Sequence, residues 1–385
     1  MTSPPSDALD ELAPARSEIS RTVGDRTMAV AQEWIGARAG SEKVFEALAQ
    51  LLPAADLFAL TNEPSCELAT GGRAIRTTFL DRPWCRRHRA PTLPVMPLAW
   101  RVATRARYDV VVTSAHAFAR EFGRQGDVHL SYVHSPARYV WFPELDARAA
   151  HPALDLVQRP ARALLQRVDL ASTGRTDSLA ANSLTTQTRI REVYERPARV
   201  IHPPVDTVFY HPTAAPRTDR LLAFGRLIPY KRFDAAIEVA ARLRRPLVIA
   251  GTGPDEDRLR ELATTTPHAD VTFAGRVSDE DVRELYRTSA ALLFLGVEDF
   301  GIIPVEAQAC GLPVVGAGAG GTLETVLDGE TGAHAAGSSV DDFVAATERM
   351  LRAGAEHDAC RSNAERFGYA AFGRRIAAWL ADTVG

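Results

Sequence analysis

The chain has 385 residues, of which 46% are hydrophobic and 24% charged, and its net charge is −3. This length exceeds what one hydrophobic core usually supports, so two globular domains are expected. The small net charge excludes a global basic field for nucleic acid, and no apolar run reaches the about 18 residues that span a bilayer. The four cysteines form no C-x-x-C or zinc-type spacing, which predicts a cytoplasmic protein with reduced thiols.

Short β-branched runs alternate with helical stretches in the N-terminal half, which is the pattern of parallel βαβ units. Residues 1–26 are polar, and we interpret them as a frayed or disordered lead-in. Residues 27–205 form the first predicted domain. Its predicted strands are Met28–Ile35, Asp56–Leu60, Asp109–Thr113, Val128–His134, Asp169–Ser172 and Arg199–Ile201, and its clearest helix is Ser41–Leu52.

A proline-rich stretch between His202 and Arg220 stops both helix and sheet, so residues 206–220 are predicted to be a linker. Residues 221–365 form the second predicted domain, with strands apolar enough to be buried on both faces. These strands are Leu221–Gly225, Leu247–Gly251, Val271–Gly275, Ala291–Gly296 and Pro313–Gly316. The helices between them are Arg232–Leu243, Asp255–Ala263, Asp279–Thr288, Ile303–Cys310 and Thr322–Leu327. Two doubly wound α/β domains are therefore predicted, with ligands at the carboxyl ends of the strands.

The first candidate loop joins the strand Leu221–Gly225 to the helix that follows it. Gly225 opens the loop, and Arg226 and Lys231 are its cations. Two cations on a strand-to-helix loop can converge on one phosphate group, and a helix N-terminus also favours anions. They could neutralise a departing diphosphate without a metal. A solvated basic loop at a helix start is the alternative.

The second candidate loop follows the strand Ala291–Gly296 and contains Glu298 and Glu306. Pro304 suits the first turn of a helix, so Glu306 is predicted in that turn with its carboxylate at the cleft between the domains. Two carboxylates spaced in this way can bind two sets of vicinal hydroxyls on one elongated ligand. The alternative is that acids are common at helix starts because of the helix dipole.

A third loop is glycine-rich and includes Gly320 and Gly321, which would let backbone amides approach a phosphate. Two Asp-Glu-Asp triplets, at 255–257 and 279–281, each open a predicted helix. Acids are stabilised there, so helix capping is favoured over a metal site, and neither a catalytic metal nor another cofactor is expected.

The N-terminal half offers weaker signals. His134 ends a predicted strand and is expected to face the cleft, although a lone histidine is often structural. Gly40 and Ser41 open the first long helix, and their backbone amides could face a phosphate or an acceptor.

Taken together, these loops resemble glycosyltransferase family 4, the retaining enzymes with the GT-B fold. The resemblance runs from about Met28 to the C-terminus, and the spacing Glu298…Glu306 is that family's E-x7-E pattern. The segment Tyr132–Trp141 is similar to bacterial mannosyltransferase-like members, which often use GDP-mannose. Further similarity lies in Ala181-Asn182-Ser183, Arg189-Ile190, Tyr194 and Val200–Asp206. Two departures, Phe142 and Ala39-Gly40, bear on the choice of acceptor.

The resemblance implies two Rossmann-like domains that face a central cleft, with residues 366–385 as a helix crossing back to the first domain. It implies that Arg226 and Lys231 bind the donor diphosphate, Glu306 its ribose and Glu298 the transferred sugar. His134 would position that sugar. Amides of Phe300, Gly301 and Ile302 would contact the sugar or phosphates. Arg138, Arg276 and Val277 complete the predicted substrate-binding residues.

The predicted reaction is therefore transfer of a hexose from a nucleotide-diphosphate sugar to a saccharide, a lipid-linked or a small-molecule acceptor. Another donor such as UDP-glucose or GDP-fucose, a nucleotide-sugar epimerase or phosphorylase on the same fold, and a non-catalytic nucleotide-sugar-binding subunit are the alternatives. Nucleic acid is not an expected partner. The run Arg82–Arg89 with Trp84 is a candidate for peripheral contact at the inner membrane face, with a solvated loop as its alternative.

Overall fold

The computed structural model describes residues 6–36, 39–142, 152–354 and 356–385. The chain divides into two compact units. The N-terminal unit comprises the residues up to Pro204 together with Phe372–Gly385, and the C-terminal unit comprises Val205–Ala371. Each unit is built on its own parallel sheet, of seven strands in the first and six in the second. The predicted class of two doubly wound α/β domains is therefore confirmed.

The sheet of the N-terminal unit has the strand order β3-β2-β1-β4-β5-β6-β7. Its strands are β1 Met28–Ile35, β2 Asp56–Asn62, β3 Ile75–Thr77, β4 Tyr108–Ala115, β5 Gly126–Val133, β6 Ser178–Ala181 and β7 Arg199–Val200. The helices of this half are α1 Ser6–Asp10, α2 Ala13–Val23, α3 Gly40–Leu51, α4 Pro83–Arg87, α5 Arg89–Thr92, α6 Met96–Arg101, α7 Arg138–Trp141, α8 Pro152–Gly174 and α9 Leu184–Tyr194. Two 3₁₀ helices, Leu93–Val95 and Ala119–Gln125, lie among them. The chain order reverses between β1 and β4, which is where a doubly wound sheet places its ligands.

Two predictions for this unit were wrong. The lead-in 1–26 is not frayed where it is described, because it contains α1 and α2. Leu12, Ala15, Ile19 and Val23 recur at helical spacing and are buried, which ties α2 to the unit. The predicted strand Asp169–Ser172 lies inside α8, where the side chains of Asp169 and Ser172 are both buried.

The C-terminal helix α17, Tyr369–Val384, packs with the N-terminal unit from Phe372 onwards. The indole Nε1 of Trp379 donates a hydrogen bond of 2.7 Å to Ser178 Oγ at the start of β6. Arg199 of β7 forms an ion pair with Asp382. These contacts fix the end of the chain against the last two strands of the sheet.

The sheet of the C-terminal unit has the order β10-β9-β8-β11-β12-β13. Its strands are β8 Leu221–Phe224, β9 Leu247–Ala250, β10 Val271–Gly275, β11 Ala291–Phe294, β12 Val314–Gly316 and β13 Gly332–His334. Its helices are α10 Phe233–Leu243, α11 Glu256–Thr265, α12 Asp279–Thr288, α13 Ile302–Ala309, α14 Thr322–Thr325, α15 Val340–Ala353 and α16 His357–Glu365, and a 3₁₀ turn covers Pro229–Lys231. One expectation was wrong: β10 is an edge strand whose residues are partly exposed rather than buried on both faces.

The predicted linker 206–220 contains neither helix nor strand and is held against the C-terminal unit. The guanidinium of Arg361 donates to the carbonyl oxygens of Thr207 and Tyr210 at 2.7 and 2.8 Å. Arg217 donates to the carbonyl oxygen of Tyr286 at 2.7 Å. The bonds from Arg361 give partners to carbonyls of the irregular segment, and the bond from Arg217 gives one to a carbonyl in the last turn of α12.

Within the described ranges, no helix combines the length and the apolar character needed to cross a membrane.

Candidate functional site

The loops after β8 and β11 meet at the carboxyl edge of the C-terminal sheet, because these two strands are direct neighbours. They bring together Lys231, from the 3₁₀ turn before α10, and Glu298, from the loop before α13. The Nζ atom of Lys231 lies 2.7 Å from Oε1 of Glu298, and the two side chains are 13% and 25% exposed. A cation and a carboxylate predicted to belong to one site are therefore in direct contact.

Glycines make this contact possible. Gly296 follows β11, and a Cβ there would lie 2.7 Å from the Cα of Lys231. Gly225 follows β8 directly with a φ of +140°, and a Cβ there would lie 3.1 Å from the Lys231 Nζ. Side chains at either position would push the lysine away. The ring of Phe294 lies beneath the lysine, with its centroid 6.0 Å from Nζ.

The two cations predicted to bind a diphosphate lie in different environments. Lys231 is partly buried and ion-paired, whereas Arg226 is exposed and, among the residues described, has no ion-pair partner. Arg276 follows β10 and is also exposed, and its neighbour Val277 is half-buried. An exposed guanidinium beside a fixed ammonium can contact a charged ligand without first breaking an ion pair.

Glu306 differs from its predicted place. Helix α13 begins at Ile302, after Gly301 in the left-handed region, so Glu306 is its fifth residue and lies in the second turn. Its side chain is only 5% exposed. The hydroxyl of Tyr286, on α12, donates to Glu306 Oε2 at 3.5 Å. The helix starts one residue earlier than the sequence indicates because Gly301 provides the N-cap.

The glycine-rich loop supports the Glu298 loop by close backbone packing. The amide of Gly321 donates to the carbonyl oxygen of Glu298 at 2.8 Å. A Cβ at Gly321 would overlap the carbonyl oxygen of Phe300, and a Cβ at Gly320 would lie 2.5 Å from that of Glu298. These contacts are a structural reason for both glycines that holds whether or not a phosphate binds there.

The acidic triplets have structural roles. Ser278 Oγ accepts a hydrogen bond of 3.1 Å from the amide of Asp281, whose carboxylate accepts one from the Ser278 amide at 3.3 Å, which is a capping box at α12. Asp255 bonds the guanidinium of Arg258 at 2.7 Å. In the part of the chain that the structure describes, no group of three or more His, Cys, Asp or Glu residues is arranged to hold a metal ion.

In the N-terminal unit, His134 follows β5 directly, whereas the prediction made it the last residue of that strand. Its Nε2 lies 2.8 Å from Ser114 Oγ, and that hydroxyl donates to Gln32 Oε1 at 2.8 Å. Burial, together with the neighbouring charge of His116, lowers the pKa of His134 to about 3. The imidazole is therefore neutral near pH 7 and can orient a ligand through hydrogen bonds.

The sequence interpretation missed three residues at this edge, Glu33, Trp34 and His116, and it considered Arg89 only as part of a candidate membrane-contact run. Glu33 Oε1 accepts amide hydrogen bonds of 2.8 and 2.7 Å, and its Oε2 accepts one of 3.0 Å from His116. The guanidinium of Arg89 lies 4.7 Å above the ring of Trp34. Burial and the nearby arginines lower the pKa of His116 to about 3. The end-of-strand rule that found His134 could have found His116, which follows β4.

The helix start at Gly40 and Ser41 is occupied by the chain itself. The carboxylate of Glu42 accepts from Ser41 Oγ at 2.8 Å and from the amides of Gly36 and Ala39 at 3.5 and 3.3 Å. Burial raises the pKa of this carboxyl group. An external anion at this helix start would lie close to the carboxylate of Glu42. Arg138, the first residue of α7, is exposed, and its Nε donates to Ser135 Oγ at 3.4 Å.

Both units match families of known proteins. The family model described as Glycosyltransferase Family 4 matches residues 38–209, and the model described as Glycosyl transferases group 1 matches residues 212–367. The chain is built from two glycosyltransferase domains. The predicted resemblance to glycosyltransferases is confirmed for these two domains.

Curated relatives include proteins described as D-inositol 3-phosphate glycosyltransferase from Mycobacterium bovis and Mycobacterium tuberculosis. Each is 35% identical over 176 residues, which is 40% of this chain and 37% of the relative. The chain thus matches little more than a third of the length of these relatives.

Solved structures show the same GT-B fold. Sucrose-phosphate synthase from Thermosynechococcus elongatus has a TM-score of 0.72 at 18% identity, covering 92% of this chain and 98% of that one. The Anabaena protein HepE in complex with UDP and glucose has a TM-score of 0.68 at 17% identity, covering 92% and 99%. In this frame Lys231, Glu298 and Glu306 lie in the group 1 domain, and His134 and Arg138 lie in the family 4 domain.

Proposed function

We propose that the chain is a retaining glycosyltransferase that needs no metal. It moves a hexose from a nucleotide-diphosphate sugar, held by the group 1 domain, to a hydroxyl group of an acceptor held by the family 4 domain. The observation that carries this proposal is the contact of 2.7 Å between Lys231 and Glu298 on adjacent loops.

The chemistry requires that the departing diphosphate be stabilised. An ammonium has three N–H donors, so Lys231 can remain ion-paired with Glu298 and still donate to phosphate oxygens. Arg226 adds a second, exposed cation on the same loop. Glu298 would bind hydroxyls of the sugar and Glu306 those of the ribose, so Lys231 is fixed between the leaving group and the transferred sugar.

Retention without a covalent carboxylate intermediate fits the N-terminal unit. Glu33 is buried at the carboxyl edge of its sheet, but both of its oxygens accept backbone hydrogen bonds. It is therefore not free to attack a sugar. In the proposed step the acceptor oxygen bonds to the anomeric carbon on the face that the diphosphate leaves. The anomeric carbon–oxygen bond breaks, and the diphosphate oxygen takes the acceptor's proton. Neutral His134 positions the sugar and transfers no proton.

The donor proposed first is GDP-mannose, from the similarity of Tyr132–Trp141 to mannosyltransferase-like sequences. A UDP-hexose is the second candidate, because structures of the similar HepE protein are described as complexes with UDP and with UDP-glucose. The name of the mycobacterial relatives makes a phosphorylated polyol an acceptor to test beside saccharides and lipid-linked saccharides.

The test is a panel of nucleoside diphosphates and their sugars. One nucleoside diphosphate at a hundred times its Kd should stabilise the protein by about 2.7 kcal/mol. The corresponding nucleotide-diphosphate hexose should be hydrolysed slowly when no acceptor is present. The Lys231→Gln variant should lose most of both effects. Stabilisation by none of the nucleotides would contradict the proposal. Epimerisation of the sugar without its release would support the epimerase instead, and binding with no turnover for any acceptor would support a non-catalytic subunit.

A further inference from the structure

An unusual surface is formed by residues 79–107, which contain α4, α5 and α6; we call it the α4–α6 surface. Five large apolar side chains on it are exposed rather than packed. They are Phe79, Trp84, Val95, Leu98 and Val102, with exposed fractions of 49%, 57%, 39%, 54% and 58%. Exposed apolar residues grouped in this way indicate an interaction surface, whereas scattered single ones need no explanation.

Leu98 lies on α6, and two of the other exposed residues, Val95 and Val102, flank the two ends of that helix. Val95, Leu98 and Val102 are spaced three and four residues apart, so their side chains follow one another along the helix. The opposite face, with Met96 and Trp100, is buried in the core of the N-terminal unit. The helix is thus anchored on one side and presents an apolar stripe on the other.

The same segment is strongly basic. Residues 79–107 contain seven arginines and a single acid, Asp81. Three of the arginines are ion-paired, namely Arg86 with Asp81, Arg101 with Glu121 and Arg107 with Asp127. Arg82, Arg87 and Arg105 are exposed and have no ion-pair partner among the residues described. The net charge of the chain is −3, so this local excess is not a feature of the whole molecule.

We propose that the α4–α6 surface binds the face of an anionic phospholipid bilayer. The unpaired arginines attract lipid phosphates, and the apolar stripe of α6 and the indole of Trp84 enter the boundary between headgroups and acyl chains. The charge of the surface favours a bilayer over a second copy of the chain. A second copy would present the same positive surface, and the two would repel each other. A nucleic acid is also disfavoured, because the apolar stripe cannot form hydrogen bonds or ion pairs with its phosphates.

The experiment is co-sedimentation of the full chain with vesicles of neutral phosphatidylcholine and of phosphatidylcholine containing phosphatidylglycerol. The chain should bind the anionic vesicles and lose most of that binding in 0.5 M NaCl, a concentration that shortens the Debye length to roughly 4 Å. The double variant Arg82→Gln/Arg87→Gln should bind about 25-fold more weakly, because each arginine contributes about fivefold. The double variant Leu98→Ser/Val102→Ser should also bind more weakly, with an unchanged melting temperature because both side chains are exposed.

Matched controls are Leu184→Ser and Arg191→Gln, two exposed residues of the same unit outside the surface. They should leave vesicle binding unchanged. Three results would overturn the proposal: no binding to anionic vesicles, equal binding to neutral ones, or equal loss in the controls. A mass in solution above that of a monomer, together with no vesicle binding, would assign the surface to self-association instead if the Leu98→Ser/Val102→Ser change restored the monomer.

Discussion

Replacing Lys231 with glutamine should reduce turnover far more than it reduces stability. The structure places Nζ of Lys231 2.7 Å from Glu298 Oε1, with both side chains largely shielded from water. At an effective dielectric constant of about 20, two charges this close attract each other by roughly 6 kcal/mol before desolvation is subtracted. The cost of leaving Glu298 without its partner is smaller, about 1–3 kcal/mol, because its carboxylate is still partly hydrated.

The effect on catalysis follows from the charge that develops on the leaving diphosphate. Loss of one preorganised donor to such a charge costs about 2.7–4 kcal/mol, or about 10²–10³ in kcat. The assay is the rate of sugar transfer, or of donor hydrolysis, together with urea unfolding of the same variant. Arg260→Gln is the matched control, since it breaks a 2.8 Å ion pair with Glu256 elsewhere in the same unit. It should leave turnover unchanged and cost less than about 1 kcal/mol.

Turnover at the wild-type rate in folded Lys231→Gln protein would refute the reasoning. If that variant does not fold, Lys231→Arg keeps the charge and separates the two effects, because it should fold and retain partial activity. An arginine variant that folds but is as inactive as the glutamine variant would mean that charge alone is not enough and that the site also needs the shape of lysine.

Three further predictions concern stability. Burial and nearby arginine charges lower the pKa of His129 to about 3. Below pH 6.5 the unfolded chain therefore takes up a proton that the folded chain does not, and the free energy of unfolding falls from pH 6.5 towards pH 3. Between pH 6.5 and 5 this costs about 2 kcal/mol, and His129→Gln should flatten the profile of unfolding free energy by that amount; an unchanged profile would contradict it. Gly321→Ala should destabilise by about 1–3 kcal/mol because its Cβ meets a backbone carbonyl, whereas Gly174→Ala, with no atom within 4 Å, should cost nothing; equal melting temperatures would contradict this. Asp169→Ala should cost about 3–5 kcal/mol because it leaves a fully buried guanidinium unpaired, and Asp382→Ala, at an exposed ion pair, should cost less than about 1 kcal/mol in the same urea titration.

The sequence was most informative where local patterns decide the structure. The strand Met28–Ile35 and the helix Asp279–Thr288 have the predicted bounds, because a mostly apolar run defines the strand and Ser278 caps the helix. The strands β3, β6 and β13 were missed because they are short and, unlike β12 with Val314-Val315, contain no run of apolar β-branched residues. Asp169–Ser172 was mistaken for a strand because its burial depends on contacts with distant residues, including Arg120.

The candidate site shows the same division. The sequence identified the loops that carry Lys231 and Glu298 because each follows a buried strand. It did not show that these side chains touch, since their contact depends on β8 and β11 being neighbours in the sheet. Nor did it show that the Glu42 carboxylate occupies the start of its own helix, although a glutamate at the third position of a helix is a known capping signal.

The most direct measurement is a crystal structure of the chain with the nucleoside diphosphate that stabilises it most. The diphosphate should lie within hydrogen-bond distance of Lys231 and Arg226, with the ribose hydroxyls at Glu306. A nucleotide bound away from these residues, or a Lys231 that remains paired only with Glu298 while the nucleotide is bound, would contradict the account.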